Sequence, residues 1–360
     1  YMEECDKAFD TSAFWHKCNT MLLMSYEHIT GRPKGDLHID AAILFRFPEE
    51  DLIIIEHDWE TIINKVRAGK AHEISEGDTL YLAACTKGAN ASSVRPQPFS
   101  NIPAKQRAYS LKASYMTQIL NKYIFGDVEE PRIIRHWRSL QHCTFEDHIM
   151  QKVSPFYRKT QQELKDLFAV DSNAKSLNEI LLARMLGVPG RIGHTDEFRK
   201  AGIIPKTIRV RRDGFIKESM SFPAFDFIEL ANETEWEEST LYNYLAPAKF
   251  MFVIFKQRSD GQYAFDRVMF WNIPNEDLEQ VRLVWERTVR AIRVGVRSTP
   301  MSGGISNDLP KKSENPVAHV RPHGRDGSDK LPLPDGRMMT KQCFWLNNTY
   351  IREQIERSVV

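Results

Sequence analysis

Two short basic stretches hold residue types that bind phosphate. In the first, Lys87, Gly88, Asn90, Ser92 and Ser93 join small residues, over which a backbone can approach a polyanion, to one lysine that can pair with it. In the second, Arg321, His323 and Arg325 lie close together, and an arginine can present a bidentate fork to a guanine edge. Lys105, Arg107 and Lys112 follow the first stretch; Lys341 and Trp345 follow the second. By residue type alone these positions equally describe solvated loops, exposed helix cations and a core tryptophan, and both readings stand at this point. The basic run Lys206, Arg209, Arg211, Arg212 and Lys217 suits a strand meeting phosphate or an ordinary edge strand. Five scattered cysteines without a C-x-x-C pair argue against a zinc site or a disulfide framework. Gly187, Gly190 and Gly193 follow no obvious strand, so a nucleotide-binding fingerprint lacks its context.

A repeated frame positions the two stretches. Pro48-Glu49-Glu50-Asp51-Leu52, Trp59-Glu60 and Gly69 recur as Pro274-Asn275-Glu276-Asp277-Leu278, Trp285-Glu286 and Gly295. In both copies the tryptophan stands eleven positions after the proline and the glycine ten after the tryptophan. Each copy reads as a hairpin (Met21–Tyr26 with 39–47; Phe250–Phe255 with Tyr263–Ile273), then an amphipathic helix from the proline to the glycine. A strand (78–84), a loop (86–93) and a helix bearing Leu111, Tyr115, Ile119, Leu120 and Tyr123 complete the first copy. In the second, 318–324 and 344–350 stand at the matching places, after an inserted loop at 301–315. Trp59 and Trp285 belong to the core. The expected domains are 1–130, a connecting helical segment 131–160, and 161–360. With 360 residues and 42% hydrophobic content, each has enough chain for a core. A net charge of +1 gives no global polyanion signal, so any nucleic-acid surface must be local. The longest apolar run, 250–255, is too short to cross a bilayer; no membrane association and a cytoplasmic location are expected.

This order of elements resembles the MutH-like family of mismatch-repair endonucleases and type II restriction enzymes that cut at GATC. The most specific stretches are Gly69-Lys70-Ala71-His72-Glu73, then 76–82, then Thr86-Lys87-Gly88-Ala89-Asn90; the end, Thr340-Lys341-Gln342-Cys343-Phe344-Trp345, is similar too. The resemblance implies an α/β (α+β) fold of two tandem restriction-endonuclease-like domains, each a mixed sheet flanked by helices. It also implies a cutting motif of Asp followed seven residues later by Glu-x-Lys, in which carboxylates hold Mg²⁺ and the metal activates water. At the matching place of the second copy Glu197 stands for the aspartate and Lys206 fits, but Ile204 replaces the glutamate and cannot ligate a hard cation. Pro205 adds a break in ladder hydrogen bonding. The second domain therefore reads as a pseudo-nuclease. Ile204 precedes Trp285 by 81 positions, and the same offset from Trp59 places the first copy's Asp, Glu and Lys upstream of Tyr1. The chain is accordingly read as lacking the beginning of its first domain, with no metal ligands of its own.

The resemblance further implies a lysine reaching the scissile phosphate, matched by Lys17, and DNA contacts by Lys87, Gly88, Asn90, Ser92, Arg107, Lys112, Arg321, His323, Arg325, Lys341 and Trp345. Arg321 matches an arginine used at base edges, and the first copy has Cys85 there. The expected function is Mg²⁺-dependent cleavage of double-stranded DNA at GATC. The second domain would bind a second site as an effector, and oligomers on DNA are possible. The alternatives are a catalytically silent DNA-binding module and a single-strand nicking repair enzyme, the latter a poor fit to two copies.

Overall fold

The computed structural model describes residues 2–27, 29, 31–87, 93–126, 130–172, 174, 176–301 and 304–358. Proline at the start and glycine at the end delimit the two long helices, as the spacing predicts. The first copy runs α1 (Ala13–Cys18), the hairpin β1 (Met21–Tyr26) and β2 (Ile39–Phe45), then α2 (Glu49–Arg67), β3 (Leu82–Thr86), a second hairpin β4 (Val94–Gln97) and β5 (Ser100–Lys105), β6 (Arg107–Leu111) and α3 (Ala113–Leu120). Helices α4 (Phe145–Val153), α5 (Gln161–Phe168), α6 (Leu177–Met185) and α7 (Asp196–Ala201) follow. Then come β7 (Ile203–Val210), β8 (Met220–Ala224), α8 (Phe227–Asn232) and α9 (Thr240–Leu245). The second copy is β9 (Lys249–Gln257), β10 (Tyr263–Trp271), α10 (Asn275–Val294), an inserted hairpin β11 (Ser298–Met301) and β12 (Gly304–Asn307), β13 (Ala318–Pro322), the hairpin β14 (Lys330–Pro332) and β15 (Met338–Thr340), β16 (Gln342–Leu346) and α11 (Asn348–Arg357). The chain is thus a mixed α/β protein in which one succession of elements occurs twice.

Compactness groups residues differently from the repeat. One unit comprises 1–206, 247–253 and 270–272, the other 207–246, 254–269 and 273–360. The segment 161–206, at the start of the second expected domain, therefore packs within the first unit.

Each copy uses an aspartate near the start of its long helix in the same way. The Tyr115 hydroxyl on α3 donates to Asp51 Oδ2 at 3.1 Å, and the Tyr350 hydroxyl on α11 donates to Asp277 Oδ2 at 2.7 Å. Both phenols are pushed well above their usual range, by burial first and then by the aspartate. Trp59 and Trp285 are buried, as expected of core residues. Gly69 ends α2 in a left-handed conformation (φ 71°), and a Cβ there would meet the Phe99 carbonyl oxygen at 2.5 Å.

Four expectations are corrected. The strand expected over 78–84 starts only at Leu82, because the Asp58 carboxylate takes the amide protons of Leu80, Tyr81 and Leu82 at 2.8, 2.6 and 2.9 Å before a partner strand can. Leu111 belongs to β6, paired with Leu82, and not to the closing helix. The insertion near 301–315 is partly a hairpin, with Thr299 opposite Ser306. Pro205 causes no central break: in the order β10-β9-β7 its strand lies at the sheet edge, where a missing N–H is tolerated.

A buried ionic cluster lies within the first unit. Lys200 Nζ, 4% exposed, sits 2.8 and 2.9 Å from the two Asp51 oxygens and 2.8 Å from Asp196 Oδ2. Arg132 joins Glu50 and, at 3.3 Å, Asp196. Burial alone would lower Lys200, but the two carboxylates hold it above its usual value and keep it charged. Removing Asp51 leaves buried Lys200 with Asp196 as its one carboxylate among the described residues and takes the acceptor from the Tyr115 hydroxyl. Asp51→Leu should cost about 3–5 kcal/mol in chemical denaturation, and adding Lys200→Met should recover much of that loss. Strictly additive losses in the double variant would disprove the coupling.

Candidate nucleic-acid interface

The pairing of β13 with β16 assembles the second basic stretch. Its register sets His319 opposite Trp345 and Arg321 opposite Cys343, so the alternation of a strand brings these four side chains to one face. The Arg321 guanidinium carbon lies 5.1 Å from the centre of the Trp345 ring, and Trp345 Nε1 donates to the Arg321 carbonyl oxygen at 3.3 Å. The His323 ring meets the indole edge-on at 5.3 Å, and His319 lies nearly parallel to it at 6.3 Å and 17°. His319 is buried, which pushes its imidazole below the ordinary value. Its Nδ1 lies 2.6 Å from Asn347 Oδ1, while Asn347 Nδ2 donates to the carbonyls of Asn315 and Pro316. With the amide oriented in that way, Nδ1 of His319 is the donor.

The charged side chains here differ in how far they are already paired. Arg321 is exposed and makes no ion pair among the described residues, so its fork is available to a ligand. Lys341 is instead paired with Asp329 at 2.8 Å, and this contact holds the Asp329 carboxyl below its usual range. Arg325 is exposed, with its Nε 3.3 Å from Asp326. The His323 amide donates to the Lys341 carbonyl at 2.9 Å, which ties the strand ends together. His319 and Asp329 were not singled out in the sequence. The strand alternation Ala-His-Val-Arg signals His319, whereas nothing local signals Asp329.

The first copy places its candidates differently. Its register pairs Cys85 with Ala108 and Ala83 with Ser110, so Cys85 and Ser110 stand where Arg321 and Trp345 stand in the second. Cys85 is half-buried, and burial followed by the charge of Glu76 pushes its thiol up. Lys87 is exposed, with its amide bonded to the Gln106 carbonyl at 2.9 Å. Gly88, Asn90 and Ser92 lie outside the described residues. Arg107 spends one donor on the Ala84 carbonyl at 2.6 Å. Lys17, in the last turn of α1, is exposed. Lys112 requires a correction: it is not a surface cation. Its ammonium is buried and donates to the carbonyls of Thr79 at 2.6 Å and Pro247 at 3.0 Å, all within the first unit.

Glu197, Ile204 and Lys206 fall on two successive elements. Glu197, 2% exposed, lies on α7 and accepts amide protons from Ile133 at 3.1 Å and Ile134 at 2.8 Å. Ile204 and Lys206 lie on β7, beyond the left-handed turn at Gly202. A carboxylate engaged by two backbone donors is poorly placed to ligate a cation. Among the described residues, no three His, Cys, Asp or Glu side chains converge as a metal site.

Comparison with known proteins adds a family to this geometry. The chain is 38% identical to the type II restriction enzyme Sau3AI of Staphylococcus aureus, over 99% of its own length and 81% of that protein's. It is 27% identical to the DNA mismatch repair protein MutH of Shewanella woodyi over 32% of this chain and 51% of that protein. The corresponding values for MutH of Shewanella baltica OS195 are 26%, 33% and 54%. Residues 1–58 match the family model of the DNA mismatch repair enzyme MutH.

The burial of Lys112 has a measurable consequence. Burial, then the nearby charge of Lys249, lowers it to about 8. The unfolded value is about 10.4, so between about pH 8 and 10 the unfolded chain binds the extra proton and stability rises with pH. Relative to Lys112→Met, the wild-type protein should gain up to about 1.4 kcal/mol per pH unit across that window. Parallel stability curves for the two proteins would show that the ammonium is not depressed.

Proposed function

This chain belongs to the MutH-like nuclease family that includes the restriction enzyme Sau3AI, and we propose that it is a type II restriction endonuclease for double-stranded DNA at GATC sites. The observation that carries the recognition half of this reading is the unpaired Arg321 guanidinium on the exposed end of β13. In that position it can fork onto O6 and N7 of a guanine, while His323 and Arg325 beside it meet phosphate. Lys87 is the corresponding exposed cation of the first copy, and Lys17, also exposed, is the candidate for the scissile phosphate. Lys341, already paired with Asp329, would reach phosphate only by exchanging one anion for another. Lys112 is not part of this surface.

In this reading the first tandem domain, 1–130, cuts, the segment 131–160 connects, and the second, 161–360, binds DNA as an effector. The capture of Glu197 by the backbone of Ile133 and Ile134 supports a second domain that binds without cutting. Mg²⁺ is the expected cofactor, but the described residues do not fit it: no three His, Cys, Asp or Glu side chains among them converge as a metal site, and Glu50, Asp51 and Asp196 are taken up by Arg132 and Lys200. That same observation favours the second reading, a DNA-binding module that recognises GATC without cleaving it. An enzyme of this kind would act in the cytoplasm, where its free thiols stay reduced.

If the second copy is an effector, Mg²⁺-dependent cleavage should run several-fold faster on a two-site than on a one-site plasmid, and added uncut GATC duplex should stimulate one-site cutting. Equal rates without stimulation would rule the effector out. Tight GATC binding with no cleavage at any Mg²⁺ concentration would select the module reading, and binding without preference for GATC would overturn both.

A further inference from the structure

We propose that Trp345 is a positioning residue for base recognition: its ring fixes the plane of the Arg321 guanidinium and thereby sets the guanine selectivity of the second copy. The inference rests on the reading of Arg321 as a base contact and assigns Trp345 a role behind that contact. Three observations support it.

First, the guanidinium lies over the indole at 5.1 Å, so the ring replaces solvent on one side of the fork and leaves the N–H edge free. Second, the ring is itself clamped. Its Nε1 donates to the Arg321 carbonyl at 3.3 Å, the His319 imidazole lies parallel to it at 6.3 Å, and His319 is pinned by Asn347 at 2.6 Å. A platform held through the backbone of the arginine it supports cannot drift away from it. Third, Arg321 has no carboxylate partner among the described residues, so the aromatic face is what orders it. An arginine stacked in advance has fewer rotamers to lose when it meets a base, and that saving is realised only where both fork bonds form. It therefore favours guanine over other bases instead of raising affinity for every sequence. Cys85 and Ser110 occupy the corresponding positions in the first copy, which has no such platform.

The test is fluorescence anisotropy of this protein with a GATC duplex and with the same duplex carrying AATT, over one matched series of salt concentrations. Wild type should prefer GATC. Trp345→Ala should lower the affinity ratio about tenfold, the discrimination that one good bidentate contact supplies, with AATT affinity and its salt slope unchanged. Trp345→Phe, which keeps a ring, should retain most of the ratio, and Trp345→Ala in an Arg321→Ala background should change nothing further. Should Trp345→Ala fail to fold, Trp345→Leu supplies apolar bulk without a π face and should lose the ratio that Trp345→Phe keeps. An unchanged ratio in Trp345→Ala or Trp345→Leu, with the ratio lowered in Arg321→Ala, would overturn the positioning role and leave the base contact standing. An unchanged ratio in Arg321→Ala, or no GATC preference in wild type, would overturn both.

Discussion

A carboxylate near the start of each long helix, buried at Asp51 and half-buried at Asp277, is the constraint on which the rest of the structure depends. Asp51 and Asp277 occupy the third helical position, where amide donors and the helix dipole favour a negative charge. Each receives a tyrosine hydroxyl from the closing helix, Tyr115 or Tyr350. The long helix and the closing helix are thereby locked together in each copy. The strand pair leading into the closing helix, β3–β6 or β13–β16, then has a fixed place, and the ends of those pairs carry the basic stretches.

Within that shared frame the copies have diverged by changing what surrounds the lock. In the first, Asp51 also holds Lys200 from α7 and is part of a buried ionic cluster. Asp277 shows no ion pair among the described residues. The sheets differ as well. The strand β9 is buried along seven successive residues, with β7 in the same three-stranded sheet, whereas β1 alternates between half-buried and exposed and pairs with β2 alone among the described residues. Similar apolar runs therefore occupy different environments according to what covers them.

Much of this frame was legible in the sequence because it rests on local signals. The Pro, Trp and Gly spacing marked both long helices within a residue or two, and apolar runs on either side of a turn marked both hairpins. The elements β4, β5 and β6 were missed because residues 94–111 include Pro96, Pro98 and Pro103, which read as loop until strand pairing, a non-local event, confines two of those prolines to edge strands. The late start of β3 depends on Asp58, more than twenty residues away in sequence. Lys112 illustrates the same limit at the site. Its type and spacing resemble a phosphate contact, but two distant carbonyls, of Thr79 and Pro247, turn it inward.

The fate of the charged residues in α7 follows from the cost of burying a charge. Once a carboxylate such as Glu197 or an ammonium such as Lys200 lies almost fully out of solvent, it must be paired or hydrogen-bonded. In a cutting site a metal and water can meet that need. In the reading proposed above, Ile204 stands at a ligand position and that route is closed; the polar groups here instead have protein partners, backbone amides for Glu197 and Asp51 and Asp196 for Lys200. Partners of that kind hold the segment in place. In that reading Ile204→Glu would not by itself complete a metal site, because Glu197 is held by its bonds to Ile133 and Ile134.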